Sequence, residues 1–423
     1  MRSALNSSEE IEKFLGQYSH FGAPVKDLSR FSVLMNELGN PQDSLRYIHI
    51  VGTNGKGSTA EFCTSALAAA GFAVGRFTSP YVSSICERIA VAYPDGLYKI
   101  SAEDFSRLLY TAADAAAKFP ELEFSQFEIM NAAAFLYYAE KRVDYVVLEA
   151  GIGGTLDSTN IIRQPECAVI TSIGLDHTKI LGDTVEKIAR SKCGVIKGGN
   201  AVAGEDIPAS AMDVLRERCA EVGARLIVPD SAELSVHSTG LEGSSFAYRG
   251  QEYRLRMGGE YQIRNAMTAI EVLLGMGISP AAISMGLSRA QVPARMELFR
   301  SNSPGRPSVL LDGGHNPQAA CAVRAALESS GLRHITGVIG MMNTKDYAEF
   351  LREILPCLER VVFCDGFSDS DVPAESLRAA SGLPAEVFHD PAQALEYARS
   401  TPCDLVTAPH RCSFYIAVFV LGR

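Results

Sequence analysis

The sequence has no Cys-x-x-Cys pair; its ten cysteines are scattered through 423 residues. Zinc-ribbon and thioredoxin-like readings depend on such pairs, so both lose their support. Scattered cysteines fit reduced, mostly buried thiols in a cytoplasmic protein better than a disulfide framework. An excess of basic charge is also missing: 39 Lys and Arg stand against 49 Asp and Glu, a net charge of -10. General binders of nucleic acid or acidic membrane need basic surface to release counterions, so neither partner is expected. No apolar run approaches the ~20 residues that span a bilayer. Met1–Phe14 is polar and acidic and carries no apolar signal core. The run Phe414–Leu421 is too short to span and reads as a buried strand. Internal repeats and low-complexity tracts are absent.

What remains is ordinary globular composition, 47% hydrophobic and 21% charged. At roughly 150 residues per domain the length implies two to three domains. Apolar runs alternate with helical patterns, which predicts an α/β fold with largely parallel sheets. Strands are expected at Tyr47–Val51, Val74–Phe77, Asp144–Glu149 and Cys167–Ile173. Helices are expected at Ser58–Ala70, Ser101–Lys118, Phe127–Lys141 and Thr184–Ser191. Ala232–Met257 alternates and is rich in Gly and Ser, so it reads as a small antiparallel section before a helix from about Gln262 to Met276. A boundary falls near Pro293–Asn302. A second series follows: strand Val309–Asp312, helix Pro317–Ser329, strand Thr336–Met341, helix Asp346–Leu355 and strand Arg360–Cys364. That series is Rossmann-like in pattern but lacks Gly-x-Gly-x-x-Gly, which weakens a dinucleotide-binding reading.

The strongest motif is Tyr47-Ile-His-Ile-Val-Gly-Thr-Asn-Gly-Lys-Gly-Ser-Thr59. It is an apolar strand, a glycine-rich turn with one lysine, and a helix start. Backbone N–H groups in such a turn converge on phosphate oxygens, and the helix dipole adds to them. Asn54, Gly55, Lys56, Gly57, Ser58 and Thr59 form the expected phosphate loop, with Lys56 on the β- and γ-phosphates. One element of the common pattern is missing. The hydroxyl that holds Mg²⁺ usually follows the lysine directly, and here Gly57 stands there. Magnesium must find other donors. Ser79, Glu149 and His177 all follow predicted strands, at the carboxyl ends where α/β sheets bind ligands. Glu149-Ala-Gly-Ile-Gly-Gly-Thr-Leu-Asp-Ser-Thr-Asn160 adds glycines that permit close backbone approach. Lys192 lies near His177 in sequence, and two cations would repel. One resolution is a carbamate on Lys192; a surface lysine is the default.

Taken together, the chain resembles the folylpolyglutamate synthase/dihydrofolate synthase family of the Mur ligase superfamily. The matching residues are Gly52–Ser58, Phe127-Glu128, Glu149–Gly154, Leu156–Asn160, Ile173–Thr178 and Gly194–Lys197. Gln262, Asn265-Ala266, Pro293–Glu297, Asp312–Pro317 and Lys345-Asp346 continue in the same order. The resemblance implies an N-terminal P-loop ATPase-like domain over residues 1–295, with a folate-binding loop near Gly22–Arg30. A C-terminal Rossmann-like ligase domain would cover residues 296–423. Ser79, Glu149, His177 and a carboxylated Lys192 would hold two Mg²⁺ ions. Asn265, Arg295 and Asp312 would contact ATP, with His315 beside them. Ser125, Gln126, Phe127 and Glu128, with Leu156, Asp157 and Ser158, would hold the pterin. Lys56, His177, Lys192 and His315 are the residues expected to carry the chemistry. The implied reaction joins L-glutamate to dihydropteroate, a reduced folate or both. It would proceed through an acyl phosphate, release ADP and phosphate, and be run by a monomer. The chain departs from the family pattern at Thr155 (usually Arg), Ser191 (usually Glu), Cys193 (usually Ala) and Cys412-Ser413 (often Gly-Ser). A cell-wall precursor ligase of the same superfamily fits less well, given Gly57 and the Leu-Asp-Ser-Thr-Asn segment. A guanine-nucleotide switch would want Asn-Lys-x-Asp, and Asn343-Thr-Lys-Asp346 has the wrong order.

Overall fold

The structure is a computed structural model and describes residues 5–19, 26–301, 303 and 305–409. Contacts divide the chain into two units. One holds residues 1–232 and 264–287, the other residues 233–263 and 288–423.

The first unit is built on an eight-stranded sheet. Its strands are β1 (Tyr47–Val51), β2 (Val74–Phe77), β3 (Ile89–Tyr93), β4 (Gly96–Lys99), β5 (Tyr145–Glu149), β6 (Cys167–Ile170), β7 (Asn200–Ala203) and β8 (Arg225–Ile227). Their order is β4-β3-β2-β5-β1-β6-β7-β8. β2 through β8 along this order pair in parallel, and β3 and β4 add an antiparallel edge. All five residues of β1 are buried, as a central strand covered on both faces requires. Helix Lys56–Ala69 follows β1, Ala102–Ala116 follows the β3–β4 hairpin, and Gln126–Lys141 comes next along the chain and packs on Ala102–Ala116. Ser101 and Ser125 cap the last two through their side chains, and Glu128 completes a capping box with Ser125.

Two details differ from the sequence expectation. The strand predicted to reach Ile173 stops at Ile170, because the next residues turn aside to bond the phosphate loop: Thr53 N donates to Ser172 O at 2.9 Å. The hairpin β3–β4 was not among the expected elements, although Pro94-Asp95-Gly96 at its turn is a turn signal; one of its strands is only four residues and largely exposed.

The second unit holds two sheets. β9 (Leu234–Gly240), β10 (Gly243–Tyr248) and β11 (Gln251–Leu255) form the antiparallel section expected from the Gly- and Ser-rich alternation. β12 (Glu297–Phe299), β13 (Ser308–Asp312), β14 (Ile335–Ile339), β15 (Arg360–Cys364), β16 (Glu386–Phe388) and β17 (Leu405–Pro409) form a sheet in the order β12-β13-β17-β14-β15-β16. It is parallel except at β12. The apolar run Phe414–Leu421, Cys412-Ser413 and Gly22–Val25 of the expected folate loop lie outside the described residues. Among the described residues no helix is long and apolar enough to cross a membrane.

Candidate active site

Strands β2, β5, β1 and β6 run in parallel, so their carboxyl ends share one edge of the first sheet. The turn after β1 is fixed there by the residues after β6. Asn54 N donates to Ser172 Oγ at 2.9 Å, and Thr171 Oγ1 donates to Asn54 O at 2.6 Å. Thr53 and Gly174 exchange bonds at 3.1 and 3.0 Å. Gly55 takes φ +83 at the foot of the helix, and a Cβ there would collide with the Asn265 side chain. Only glycine meets both demands at no cost. Asn265 therefore lies against the phosphate loop, as expected. The helix Lys56–Ala69 begins with no side-chain cap, so its first N–H groups are available to an anion.

Two lysines meet at one carbonyl. Lys56 Nζ donates to Gly52 O at 3.1 Å and to Thr53 O at 3.3 Å. Lys192 Nζ donates to the same Gly52 O at 2.9 Å. Lys192 sits in the last turn of helix Val185–Cys193 and is only 4% exposed. Burial first, and the Lys56 charge second, pull its pKa down to about 7, opposed by Asp176 and Asp157. Its neutral amine is thereby favoured relative to that of an exposed lysine. The default of a surface lysine is thus ruled out.

Glu149 is buried, and its Oε2 accepts from Ser79 N at 3.1 Å. A Cβ on Gly57 would stand 3.7 Å from that same oxygen. The Glu149 carboxylate thus faces the position where the common pattern has its hydroxyl. A carboxylate and a serine at one strand edge form the hard-oxygen set that suits Mg²⁺. His177 lies in the segment after β6, with φ +50, a conformation that histidine enters more readily than most residues. Its Nε2 is 4.0 Å from Asp176 Oδ1. Among the described residues, one trio of Asp, Glu and His has its ligand atoms within 4.8 Å of one another: Asp365, Glu375 and His389. There the imidazole ion-pairs with Asp365 at 2.8 Å and Glu375 at 3.5 Å.

The residues expected to hold a pterin occupy two neighbouring segments. Glu128 is buried, accepts from Ser125 N and Oγ at 2.8 and 2.9 Å, and pairs with Arg30 through two bonds at 3.0 and 2.7 Å. Gln126 Nε2 donates to Tyr18 O at 3.0 Å. Phe127 lies edge-tilted against Phe77, with centroids 5.8 Å apart, and close to Gly151. Ser158 Oγ accepts from Asn131 Nδ2 at 2.5 Å, and Leu156 is 44% exposed. Asp157 anchors the glycine loop: Ile152 N and Thr159 N donate to it at 2.9 and 3.0 Å. Two of the departures from the family pattern touch. Thr155 N and Oγ1 both donate to Ser191 O at 2.8 Å, tying this loop to the lysine helix. Gly154 permits that approach, because a Cβ there would stand 2.7 Å from Lys192 O.

A second cluster lies within the other unit. Asp312, at the end of β13, accepts from Tyr261 OH at 2.9 Å, Met296 N at 3.1 Å and Gly314 N at 2.8 Å. Ala294 and Met296 flank Arg295 with φ +50 and +46. Non-glycine residues in this region cost free energy and concentrate at functional sites. His315 Nδ1 lies 3.2 Å from Gly313 O. A carbonyl only accepts, so Nδ1 carries the proton.

Sequence reasoning passed over Ser172, Asn131 and Tyr261. Ser172 was hidden because the expected strand Cys167–Ile173 ran through it, whereas the strand ends at Ile170. Tyr261 carried no signal, being 51 residues from its partner Asp312.

The family described as Mur ligase middle domain matches residues 50–273, and the Mur ligase glutamate ligase domain matches residues 294–407. The chain is 34% identical over 367 residues to the dihydrofolate synthase/folylpolyglutamate synthase of Bacillus subtilis, covering 83% of this chain and 82% of that protein. The fold is similar to Mycobacterium tuberculosis folylpolyglutamate synthase complexed with ADP and AMPPCP, with TM-score 0.88 and 28% identity over 100% and 99% of the two chains. It is also similar to a bifunctional folylpolyglutamate synthase/dihydrofolate synthase with Mn, AMPPNP and L-glutamate bound, with TM-score 0.84 and 27% identity over the whole of both chains.

Proposed function

This chain belongs to the Mur ligase family, among the dihydrofolate synthases and folylpolyglutamate synthases, and from that premise we propose that it uses ATP to join L-glutamate to a folate-type acid. The acid is dihydropteroate, a reduced folate or both. The observation that carries the reading is the meeting of Lys56 and Lys192 at Gly52 O, in a phosphate turn beside the buried Glu149.

A carboxylate is a poor electrophile, because its charge is delocalised and oxide leaves badly. Transfer of the γ-phosphoryl group to a carboxylate oxygen makes an acyl phosphate. The glutamate amine then attacks the carbonyl carbon, loses a proton, and phosphate departs with the former carboxylate oxygen. The protein's task is to position the partners and balance charge. Lys56 and the N-terminal amides of its helix take the phosphoryl oxygens. Ser79 and Glu149 would hold one Mg²⁺, and His177 with an N-carboxylated Lys192 a second; the ions neutralise phosphate charge. Carboxylation of Lys192 needs a neutral amine to attack CO₂ and lose a proton, and its lowered pKa supplies that amine. Asn265, Arg295, Asp312 and His315 serve the nucleotide. Ser125–Glu128 and Leu156–Ser158 serve the acid. The enzyme works as a cytoplasmic monomer, with the ligase-domain role carried by residues 296–423.

The test is incubation with ATP, Mg²⁺ and L-glutamate, with dihydropteroate or tetrahydrofolate added separately. The expected product is the acid plus one glutamyl residue by mass. An acceptor labelled with ¹⁸O in its carboxylate should pass one label to inorganic phosphate. No glutamyl product from either acceptor overturns the substrate reading, and unlabelled phosphate overturns the acyl phosphate.

A further inference from the structure

Beneath the acid-binding segment runs a chain of three buried polar side chains. His49, in the middle of β1, is fully buried, and its Nε2 lies 2.9 Å from Thr159 Oγ1. Thr159, also fully buried, has Oγ1 2.5 Å from Asp157 Oδ1. Asp157 Oδ2 accepts from Ile152 N, so the carboxylate is held from the glycine loop on its other side.

The proton positions follow from counting donors. The carboxylate accepts, so the single hydroxyl proton of Thr159 points to Asp157. The Thr159 oxygen must then accept from His49, which places the imidazole proton on Nε2. Nδ1 is left as a bare lone pair, in keeping with its lack of a hydrogen-bond partner. Burial, and secondarily Lys197, hold His49 down to about 3, so the ring is neutral at physiological pH. An Nδ1–H tautomer would orphan a donor on one side and set two lone pairs against each other on the other.

We infer that His49, as its Nε2–H tautomer, and Thr159 are positioning residues that fix Asp157 and with it the acid-binding segment Leu156–Ser158. The inference rests on the reading of that segment given above. It makes the strand that launches the phosphate turn the same strand that anchors the acceptor site. Nucleotide and acid are thereby registered on one rigid element, as reaction between two bound substrates demands.

Thr159→Val keeps the shape and removes both side-chain bonds. It should raise the KM for the folate acceptor about 10-fold, leave the KM for ATP unchanged, and speed amide exchange at Ile152 and Thr159. Thr159→Ser should restore both the acceptor KM and the exchange rates. His49→Gln, whose amide can donate from near the Nε2 position, should resemble wild type, while His49→Leu should resemble Thr159→Val. In ¹⁵N-imidazole spectra of the wild type, the His49 proton should sit on Nε2. Exchange and tautomer are read without substrate, so they test the positioning even if no folate is accepted. A proton on Nδ1, or unchanged exchange in Thr159→Val, overturns the inference. Altered exchange with an unchanged acceptor KM in an active enzyme overturns its link to the acid site.

Discussion

Lys192 and Lys197 are five residues apart, both withdrawn from solvent with pKa values lowered by burial, and held by different sets of acceptors. Lys197 Nζ donates to Asn160 O at 2.7 Å and Ile162 O at 2.5 Å, and it remains partly accessible. Lys192 is more deeply buried, has one carbonyl at 2.9 Å, and shares that carbonyl with Lys56. An ammonium offers three donors. Lys197 spends two on carbonyls. Lys192 spends one, beside a like charge. The first arrangement ties a loop down through two carbonyls, although burial, and then Arg218, lower the Lys197 pKa as well, to about 8. The second disfavours the cation, and it stands where a phosphate-handling enzyme can use a neutral amine or its carbamate. The family resemblance singles out Lys192, and counting acceptors supplies a physical difference between the two lysines.

The largest effect comes from removing the like charge. Lys56→Ala should lower ligation by about 10²–10³-fold, worth roughly 3–4 kcal/mol of transition-state stabilisation, with the fold intact by circular dichroism. It should also let the Lys192 pKa rise, because one cause of its depression is gone. Near-normal turnover in this variant would sink the phosphate-loop assignment.

Lys192 variants should cost about 10²-fold if its carbamate helps stabilise the transferring phosphoryl group. On that reading Lys192→Ala is partly rescued by acetate, while Lys192→Arg is inactive and not rescued. Substantial activity in the arginine variant would mean that a fixed positive charge suffices. Lys197→Met should keep turnover within a few-fold of wild type.

The metal should show a smaller effect. Glu149→Gln and His177→Ala should each raise the Mg²⁺ concentration needed for half-maximal rate by about 10-fold, since each removes one hard or imidazole donor. Gly57→Ser should leave that requirement within about 2-fold, because the site draws its oxygen from Glu149. Wild-type Mg²⁺ dependence in both donor variants would show that the ligands lie elsewhere.

Much of this was legible in the sequence, and the reasons differ by residue. Tyr47–Val51 and Pro317–Ser329 were read to the residue, the first from an apolar run ending in a glycine turn; in the structure Asn316 caps the second and Pro317 opens it. Strand Leu405–Pro409 was not read, although it lies between β13 and β14, because nothing local in a parallel sheet encodes strand order. In the site, Lys56 and Glu149 were legible because each ends or follows a strand. The shared carbonyl at Gly52 was not, since it depends on a helix 140 residues away folding back onto the turn. Nor was the Thr159 link to His49, which joins two apparently unremarkable residues across 110 positions.

The smallest expected effect, and the sharpest test of the lysine comparison, is one of stability. Lys192→Met should leave the fold as stable or raise it by about 1–2 kcal/mol at pH 7, because replacing a poorly satisfied buried charge with an apolar side chain is often favourable. The Gly52 carbonyl keeps Lys56 as a donor, so no acceptor is orphaned. Lys197→Met should instead lose about 1–3 kcal/mol, because two carbonyls lose their donor. The pH dependence follows from the Lys192 shift. Its pKa is about 7 in the folded chain against the ordinary lysine value of 10.5, so between these pH values the unfolded chain binds more protons. Wild-type stability contributed by this group therefore rises with pH across that window. Lys192→Met lacks that rise, so its advantage should be greatest at pH 7 and fade toward pH 10.5. Urea unfolding of both variants and wild type, in bicarbonate-free buffer at three pH values, reads this directly. If Lys192→Met and Lys197→Met were destabilised alike, with no pH trend between them, the two lysines would be held in the same way and the contrast between them would collapse.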